Sequence, residues 1–337
     1  MKSEYNIALI GDLNGAIEAT LELLAQRNFP VAKIFPLYEG ETEKTSVMFS
    51  GKPVDIIDIQ DFDWQKIDIA FFFTDIESTK KWADIASKHC IVIDNSGAFL
   101  SDENVPLIQV DVNETGFADF TQNNKISIPS SEAAQLSLTL KKLHQEIGLV
   151  RISVSSYQSV SVAGKVGVTT LAGETARLLN AKSIEHELFP QQTAFNVFPQ
   201  VGQFNDDGHS FSEVRLVNEV RRLLNDPAIM VASTQVVVPM FYGCAQSVHV
   251  QTHYPVDLEE VAQSLRDSAG LTLVESVCDY PNIITDVVGN DSVQIGRLRQ
   301  DLCDPSGLNL WICADNVYFG VACNAIKVAE KLIKNYI

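Results

Sequence analysis

The feature that most limits how this chain can fold is the alternation of short apolar runs with helical patterns near its N-terminus. Apolar runs at residues 6–10, 32–37, 69–73 and 90–93 are typical of buried strands. Residues 17–27 and 79–88, which lie between such runs, carry apolar side chains at helical spacing. Because strands that alternate with helices form mostly parallel sheets, we predict an α/β fold with a Rossmann-like, doubly wound domain.

A different pattern begins near residue 130. Ser131 and Glu132 stand at the start of a helical period that continues through residue 143. Apolar and polar residues then alternate within the runs at residues 151–157, 235–240 and 247–251, which is typical of an antiparallel sheet with one covered face. We therefore predict an α+β domain at residues 130–316. The nucleotide-binding-like domain is predicted at residues 1–129, completed by an amphipathic helix over residues 317–337.

Charge and cysteine content exclude several classes of function. The chain of 337 residues carries 43 acidic and 25 basic side chains, a net charge of −18, which repels nucleic acids and anionic membrane surfaces. Its six cysteines form no C-x-x-C pair, so neither a metal site nor a disulfide framework is predicted. No apolar run approaches the roughly 18 residues that cross a bilayer. We therefore expect a cytoplasmic protein without a nucleic-acid or membrane partner.

Residues 11–17, G-D-L-N-G-A-I, follow the first predicted strand, where a doubly wound fold binds a dinucleotide. Such a loop needs glycines so that its backbone can approach the pyrophosphate and its helix can pack on the sheet. Here Asn14 and Ile17 stand at two of the positions where the motif has glycine. We favour a structural turn with a degraded nucleotide site, in which Gly11 and Asn14 are the candidate cofactor contacts. Glu39, after the second strand, suits a ribose diol better than a 2′-phosphate, although a solvated loop is the simpler interpretation.

Four residues are candidates for chemistry. Ser131 is a candidate nucleophile because a helix N-terminus stabilises negative charge, but no histidine forms a recognisable pattern with it, so a helix cap is favoured. Cys244 would react only beside a cation, and its sequence neighbours supply none. Glu213 and Arg215, in a predicted helix at residues 211–224, either grip an anion or zwitterion or form a solvated face. Composition and spacing alone therefore indicate no assembled catalytic centre.

Longer strings resemble a known family. Residues 155–164, S-S-Y-Q-S-V-S-V-A-G, are similar to S-T-Y-Q-A-V-S-G-A-G of bacterial aspartate-semialdehyde dehydrogenases. Residues 94–99, D-N-S-G-A-F, resemble that family's D-N-S-S-A-F, and residues 194–199 resemble its A-F-N-x-x-P. Residues 296–301, 307–311 and 314–316 also match, so the similarity covers nearly the whole chain. It implies a nucleotide domain completed by the C-terminal helix, and a central domain with the active site and the contact of a homodimer.

The family reaction is the reversible, NADP-dependent reductive dephosphorylation of β-aspartyl phosphate through a cysteine thioester. By the resemblance, Ser131 stands at the position of the nucleophilic cysteine and Cys244 at that of the acid/base histidine. Val237 stands at the position of the arginine that holds the substrate carboxylate. A serine whose base is missing loses its usual route to activation.

Further departures from the family remove contacts to anions. Leu100 replaces a phosphate-contacting arginine, Asp75 replaces a cofactor-side glycine, and the R-S pair that holds the 2′-phosphate is absent around residue 39. Positions that keep a family-like residue include Gln158, a catalytic position, and Asn316, on the nicotinamide side. Two more lie at the substrate positions, Glu213 and Arg215, where arginine replaces a lysine.

The combined losses resemble the Usg group of dehydrogenase-like proteins, which carry serine at the cysteine position. They imply a catalytically inactive homologue that binds a metabolite or a partner, with NADP or NAD as the cofactor that the family suggests. The alternative is an active NAD(P)-dependent oxidoreductase acting on an aldehyde or acyl phosphate through Ser131 or Cys244, helped by Gln158. Such an enzyme would prefer NAD if Glu39 accepts from a ribose hydroxyl. A third hypothesis is a heteromeric partner of a true dehydrogenase.

Overall fold

The computed structural model describes residues 2–11, 15–40, 42, 44–184, 188–276 and 278–337. These residues form two compact units. The first comprises the chain up to Ser130 together with Gly320–Ile337, and the second comprises Ser131–Phe319. Within the described ranges, no helix combines the length and the apolar character needed to cross a membrane.

The first unit is built on a parallel sheet flanked by helices. Its elements are β1 (Tyr5–Gly11), α1 (Ala16–Gln26), β2 (Val31–Tyr38), β3 (Ser46–Phe49), β4 (Lys52–Asp55), β5 (Ile57–Asp58), β6 (Ile69–Phe73), α2 (Ile76–Ala86), β7 (Ile91–Asp94), β8 (Lys125–Ser127) and, near the C-terminus, α7 (Asn324–Asn335). Six strands form the main sheet in the order β5-β2-β1-β6-β7-β8, while β3 and β4 form a separate hairpin. Every ladder of the main sheet is parallel, which confirms the predicted Rossmann-like fold.

The apolar runs explain this sheet. Strand β1 pairs with β2 on one side and with β6 on the other, and its residues 7–10 are buried on both faces. A strand covered on both faces needs consecutive apolar residues, as the sequence pattern indicated. Ile17 on α1 is also fully buried, so this side chain belongs to the core of the unit.

The C-terminal segment completes the first unit through polar contacts. Arg27 binds Glu330 through two hydrogen bonds of 2.8 and 2.7 Å. The amide of Asn324 accepts from the backbone N–H of Val110 and donates to the backbone oxygen of Ile108, each at 3.0 Å. The sequence predicted one continuous helix from residue 317, but this was wrong, because Tyr318–Cys323 forms a π-helix and α7 begins only at Asn324.

The second unit packs helices against a mixed sheet. Its elements are α3 (Ser131–Ile147), β9 (Leu149–Gln158), α4 (Gly164–Leu179), α5 (Phe211–Leu223), β10 (Met230–Val237), β11 (Cys244–Thr252), α6 (Leu258–Arg266), β12 (Leu271–Leu273), β13 (Val293–Gln300) and β14 (Gly307–Ala314). The strand order is β10-β9-β11-β14-β13-β12. Helix α3 contacts β9, β11 and β14.

The prediction of an antiparallel sheet was only partly right. The central ladders are antiparallel, but β10 and β12 each join an edge of the sheet in parallel. Alternating apolar residues report one covered face and carry no information about strand direction. The strand predicted at residues 235–240 instead runs over Met230–Val237, before Pro239, which has no N–H to donate to a ladder.

Candidate active site

Three buried side chains form a row across the second sheet. Gln158 is the direct partner of Val237 on β10 and of Cys244 on β11. Direct partners in a ladder project from the same face of a sheet, and each of these three residues is at most 3% exposed. The row therefore brings together Gln158 and the two positions at which the family resemblance implied a carboxylate-binding arginine and an acid/base histidine.

Ser131 is the first residue of α3, and it is half-buried. The N-terminus of a long helix stabilises negative charge, so the position suits an anionic group. The Ser131 side chain forms a hydrogen bond with the carboxyl group of Glu132. Glu132 is thus an ionisable group in direct contact with the candidate nucleophile, whereas its place in the sequence indicated only a favourable acid in the first turn of a helix.

The Glu132 carboxyl group is buried rather than presented to solvent. Its pKa is raised because burial disfavours the charged form, and the nearby Glu219 carboxylate raises it further. Hydrogen bonds from its own backbone and from Ser131, together with the charge of Arg215, oppose this shift. The net effect favours a neutral carboxyl group at the start of α3.

Cys244 opens strand β11 and is 1% exposed. Its Sγ atom accepts a hydrogen bond of 3.3 Å from Nε2 of Gln135 on α3. The pKa of its thiol is raised well above 9.0, mainly by burial and also by the charge of Glu132. At neutral pH this side chain is therefore a protonated thiol, unable to act as a thiolate or as a base.

Gln158 and Asn316 are both engaged by protein groups. Nε2 of Gln158 donates a 2.7 Å hydrogen bond to Oε1 of Gln235. Oδ1 of Asn316 accepts from the backbone N–H of Gly243 at 2.8 Å, while its Nδ2 donates to the hydroxyl of Ser161 at 3.0 Å. Asn316 therefore ties the turn before Cys244 to a neighbouring segment.

Glu213 and Arg215 also make contacts that stabilise the fold. Ser210 and Glu213 form a capping box at the start of α5, in which the backbone N–H of Ser210 donates to Oε2 of Glu213 at 2.8 Å. Oε1 of Glu213 accepts from the backbone N–H of Gln235 at 3.2 Å. Nε of Arg215 donates to Oε1 of Glu219 at 2.8 Å, one helical turn away. Both predicted substrate-binding side chains thus have structural partners.

Gly11, one of the predicted cofactor contacts, is the last residue of β1. Gly11 has a φ of 136°, and a Cβ atom built on it would lie 2.1 Å from the carbonyl oxygen of Phe73. Glycine is therefore required where β1 approaches the end of β6, whatever the loop binds. Asn14 lies outside the described residues. Asp75 caps α2, accepting from the backbone N–H of Ser78 at 2.9 Å.

Two glutamines that no sequence pattern singled out border this site. The first is Gln135, which binds Cys244. The second is Gln246, whose Nε2 atom donates to the backbone oxygen of Glu132 at 3.1 Å and to the hydroxyl of Ser156 at 3.0 Å. Within the described residues, no donor pairs with the buried Oε1 atom of either glutamine. The contact of Gln135 joins residues far apart in sequence, so only its place one turn after Ser131 could have suggested a role.

Comparison with known proteins identifies the class. The family model of the semialdehyde dehydrogenase NAD binding domain matches residues 6–119, and that of the semialdehyde dehydrogenase dimerisation domain matches residues 140–319. The matched models agree with the parallel sheet of the first unit and the mixed sheet of the second. Fold and matches together define a protein of the semialdehyde dehydrogenase type.

Individual relatives narrow this class. The aspartate-semialdehyde dehydrogenase of Shewanella violacea is 39% identical, and aspartate-semialdehyde dehydrogenase 2 of Vibrio cholerae is 41% identical, each over 100% of both chains. The crystal structure of aspartate semialdehyde dehydrogenase II complexed with ASA, from Vibrio cholerae, matches with a TM-score of 0.96 over 100% of both chains. This chain belongs to the aspartate-semialdehyde dehydrogenase family, which confirms the family predicted from its motifs.

Proposed function

We propose that this chain is a catalytically inactive, Usg-type member of its family that acts by binding a small metabolite or a protein partner. The row of Val237, Gln158 and Cys244 carries this proposal. An aliphatic side chain occupies the place of the carboxylate clamp, and a buried thiol occupies the place of the acid/base group. A thiol whose pKa lies well above 9.0 neither accepts a proton from a nucleophile nor returns one to a leaving group at neutral pH.

The nucleophile position supports the same conclusion. A thiolate forms readily at a helix N-terminus near neutral pH, whereas an alkoxide at Ser131 needs a base to take its proton. The thioester of the family reaction would also become an oxyester. Glu213 and Arg215, which could hold substrate, are instead held by the capping box and by Glu219.

The binding role has an expected assembly and location. A homodimer fits the matched dimerisation domain at residues 140–319. The matched NAD binding domain makes NAD or NADP the expected nucleotide class. The net charge of −18 favours a small-molecule or protein ligand over nucleic acid or an anionic membrane, and a cytoplasmic location suits the isolated cysteines. A true dehydrogenase of the same family is one candidate partner, which co-purification and its altered kinetics would reveal.

One observation favours a second candidate function. The Ser131 side chain forms a hydrogen bond with the Glu132 carboxyl group, so Glu132 could take the Ser131 proton in a state in which substrate binding exposes and ionises this carboxyl group. The alternative is therefore an active NAD(P)-dependent oxidoreductase on an aldehyde or acyl phosphate, with Ser131 as nucleophile and Glu132 as its base.

A turnover assay separates the two candidates. Purified protein is supplied with aspartate semialdehyde, phosphate and NADP or NAD in one direction, and with β-aspartyl phosphate and NADPH or NADH in the other. We expect no turnover above that of the Ser131→Ala variant. Turnover that Ser131→Ala abolishes and Ser183→Ala retains would establish the alternative, since Ser183 is an exposed serine of the same unit that contacts none of the candidate site residues among the described hydrogen bonds.

A further inference from the structure

The carboxyl end of β2 carries an acidic side chain that its neighbours hold in one position. Oε2 of Glu39 accepts hydrogen bonds from the hydroxyl of Ser78 at 2.8 Å and from Nε1 of Trp82 at 3.0 Å. The ammonium group of Lys81 binds the other oxygen, Oε1. All three donors lie on α2, so one helix fixes the carboxylate from a single side.

These contacts also keep Glu39 charged. The pKa of its carboxyl group is lowered to about 2, first by the hydrogen bond from Lys81 and then by those from Trp82 and Ser78. Lys81 is itself held, because its Nζ atom lies 4.8 Å from the centroid of the Trp82 ring. The Lys81 ammonium group therefore contacts both Glu39 and Trp82.

The position of Glu39 directly after β2 indicates which part of a bound nucleotide this carboxylate would contact. In doubly wound domains, the residue after the second strand faces the ribose of a bound dinucleotide: an acidic residue accepts from the 2′-hydroxyl, whereas an arginine accommodates a 2′-phosphate. Strand β2 lies next to β1 and parallel to it, so the carboxyl ends of both strands meet at one edge of the sheet. The Glu39 side chain is 31% exposed at that edge.

The carboxylate retains capacity for a ligand. An ionised carboxyl group has about four acceptor positions, and the three donors of α2 use three of them. A ribose hydroxyl can donate to the remaining position. A 2′-phosphate is mainly a dianion at neutral pH, so it has almost no proton to donate there, and the Glu39 carboxylate repels it.

We propose that Glu39 is the specificity-determining residue of the nucleotide site, which accepts adenine nucleotides with a free 2′-hydroxyl and excludes those with a 2′-phosphate. This assignment rests on the part of the proposed function in which the first unit still binds a nucleotide. It is independent of whether the protein catalyses a reaction. The turnover assay can therefore overturn the inactive assignment without affecting this one, and the binding assay can overturn this one without affecting the inactive assignment.

The test is calorimetric titration of the full-length protein with two matched pairs of ligands. NADH is compared with NADPH, and AMP with adenosine 2′,5′-bisphosphate, which probes the ribose position without pyrophosphate or nicotinamide. We expect the partner without a 2′-phosphate to bind at least about tenfold more tightly in each pair. Equal affinities, tighter binding of the 2′-phosphorylated partner, or no binding of NADH and AMP would each overturn the assignment.

Two variants assign the selectivity to Glu39. Glu39→Gln keeps an oxygen for Ser78 and Trp82 but removes the charge and releases Lys81, so we expect the preference to shrink about tenfold. Glu103→Gln makes the same chemical change at an exposed position of the same unit and should leave the preference unchanged. A preference that survives in Glu39→Gln, in protein with an unchanged circular-dichroism spectrum, would contradict the role of this carboxylate.

Discussion

The Nε2 atom of Gln135 lies 3.3 Å from the Sγ atom of Cys244, in the interior of the second unit. Burial raises the pKa of this thiol well above 9.0, and the charge of Glu132 raises it further, while the contact with Gln135 opposes the shift. At the position that the resemblance assigns to an acid/base histidine, the side chain is therefore a protonated thiol that does not exchange protons at neutral pH.

The reactivity of the Cys244 thiol can be measured by cysteine labelling. Of the six cysteines, only Cys278 and Cys303 are exposed, while the others, including Cys244, are buried. We expect two thiols to react rapidly with a disulfide reagent in the native protein and all six after denaturation. Peptide mapping identifies the labelled residues, with Cys303 as the internal reference. Native labelling of Cys244 as fast as that of Cys303 would mean that its thiol is accessible and ionised.

Gly11 should be far more sensitive to substitution than Gly15, although both flank the same loop. In Gly11→Ala the new Cβ atom would collide with the backbone of Phe73, so we expect a loss of about 3 kcal/mol or more. In Gly15→Ala no atom of the described residues lies within 4 Å of the new Cβ atom, so we expect only the cost of the positive φ, about 1 kcal/mol. Denaturant unfolding compares the two variants, and equal losses would show that β1 and β6 do not approach this closely.

Glu213 should stabilise α5 together with Ser210. Either Ser210→Ala or Glu213→Ala removes half of the capping box, which typically costs about 1 kcal/mol, and the loss of the contact to Gln235 adds to the cost of the second. Because the two side chains act as one unit, the double variant should lose less than the sum of the single losses. Strict additivity in a double-mutant cycle would argue that Glu213 is available to a ligand.

Glu132 should make the protein less stable as pH rises. Its pKa is raised in the folded state, mainly by burial, so the folded protein binds the proton more tightly than the unfolded chain. The stabilisation is complete below the unfolded value of 4.5 and is lost as pH rises through the higher folded value. Glu132→Gln mimics the neutral form, so its free energy of unfolding relative to wild type should improve between about pH 5 and pH 8. An unchanged or opposite difference would indicate an ionised Glu132.

The parts of the fold that depend on local pattern could be predicted. The run at residues 69–73 matches β6, and serines before a helical period placed the start of α3 at Ser131. Strand direction could not be predicted, because β10 joins β9 in parallel while the alternation in its sequence would also suit an antiparallel neighbour. The π-helical start of the C-terminal segment was missed because its apolar spacing resembles that of an α-helix.

The candidate site was predictable only where one residue determines the chemistry. The motifs located Ser131, Gln158 and Cys244, and the ladder brings the last two side by side. Two contacts of the site join segments that are distant in sequence, so no local spacing reveals them. These are the hydrogen bonds of Gln235 to Glu213 and of Gln135 to Cys244. The same holds for Glu39, whose three donors lie on α2 rather than near it in sequence.

The central claim, that Ser131 does not act as a nucleophile, is tested most directly by looking for the covalent intermediate. The protein is mixed with β-aspartyl phosphate without any nicotinamide, and its intact mass is measured over time, with an aspartate-semialdehyde dehydrogenase that carries the catalytic cysteine as positive control. We predict no aspartyl adduct on this chain under conditions that acylate the control. An adduct that maps to Ser131 and is absent from Ser131→Ala would contradict the account and identify an active enzyme.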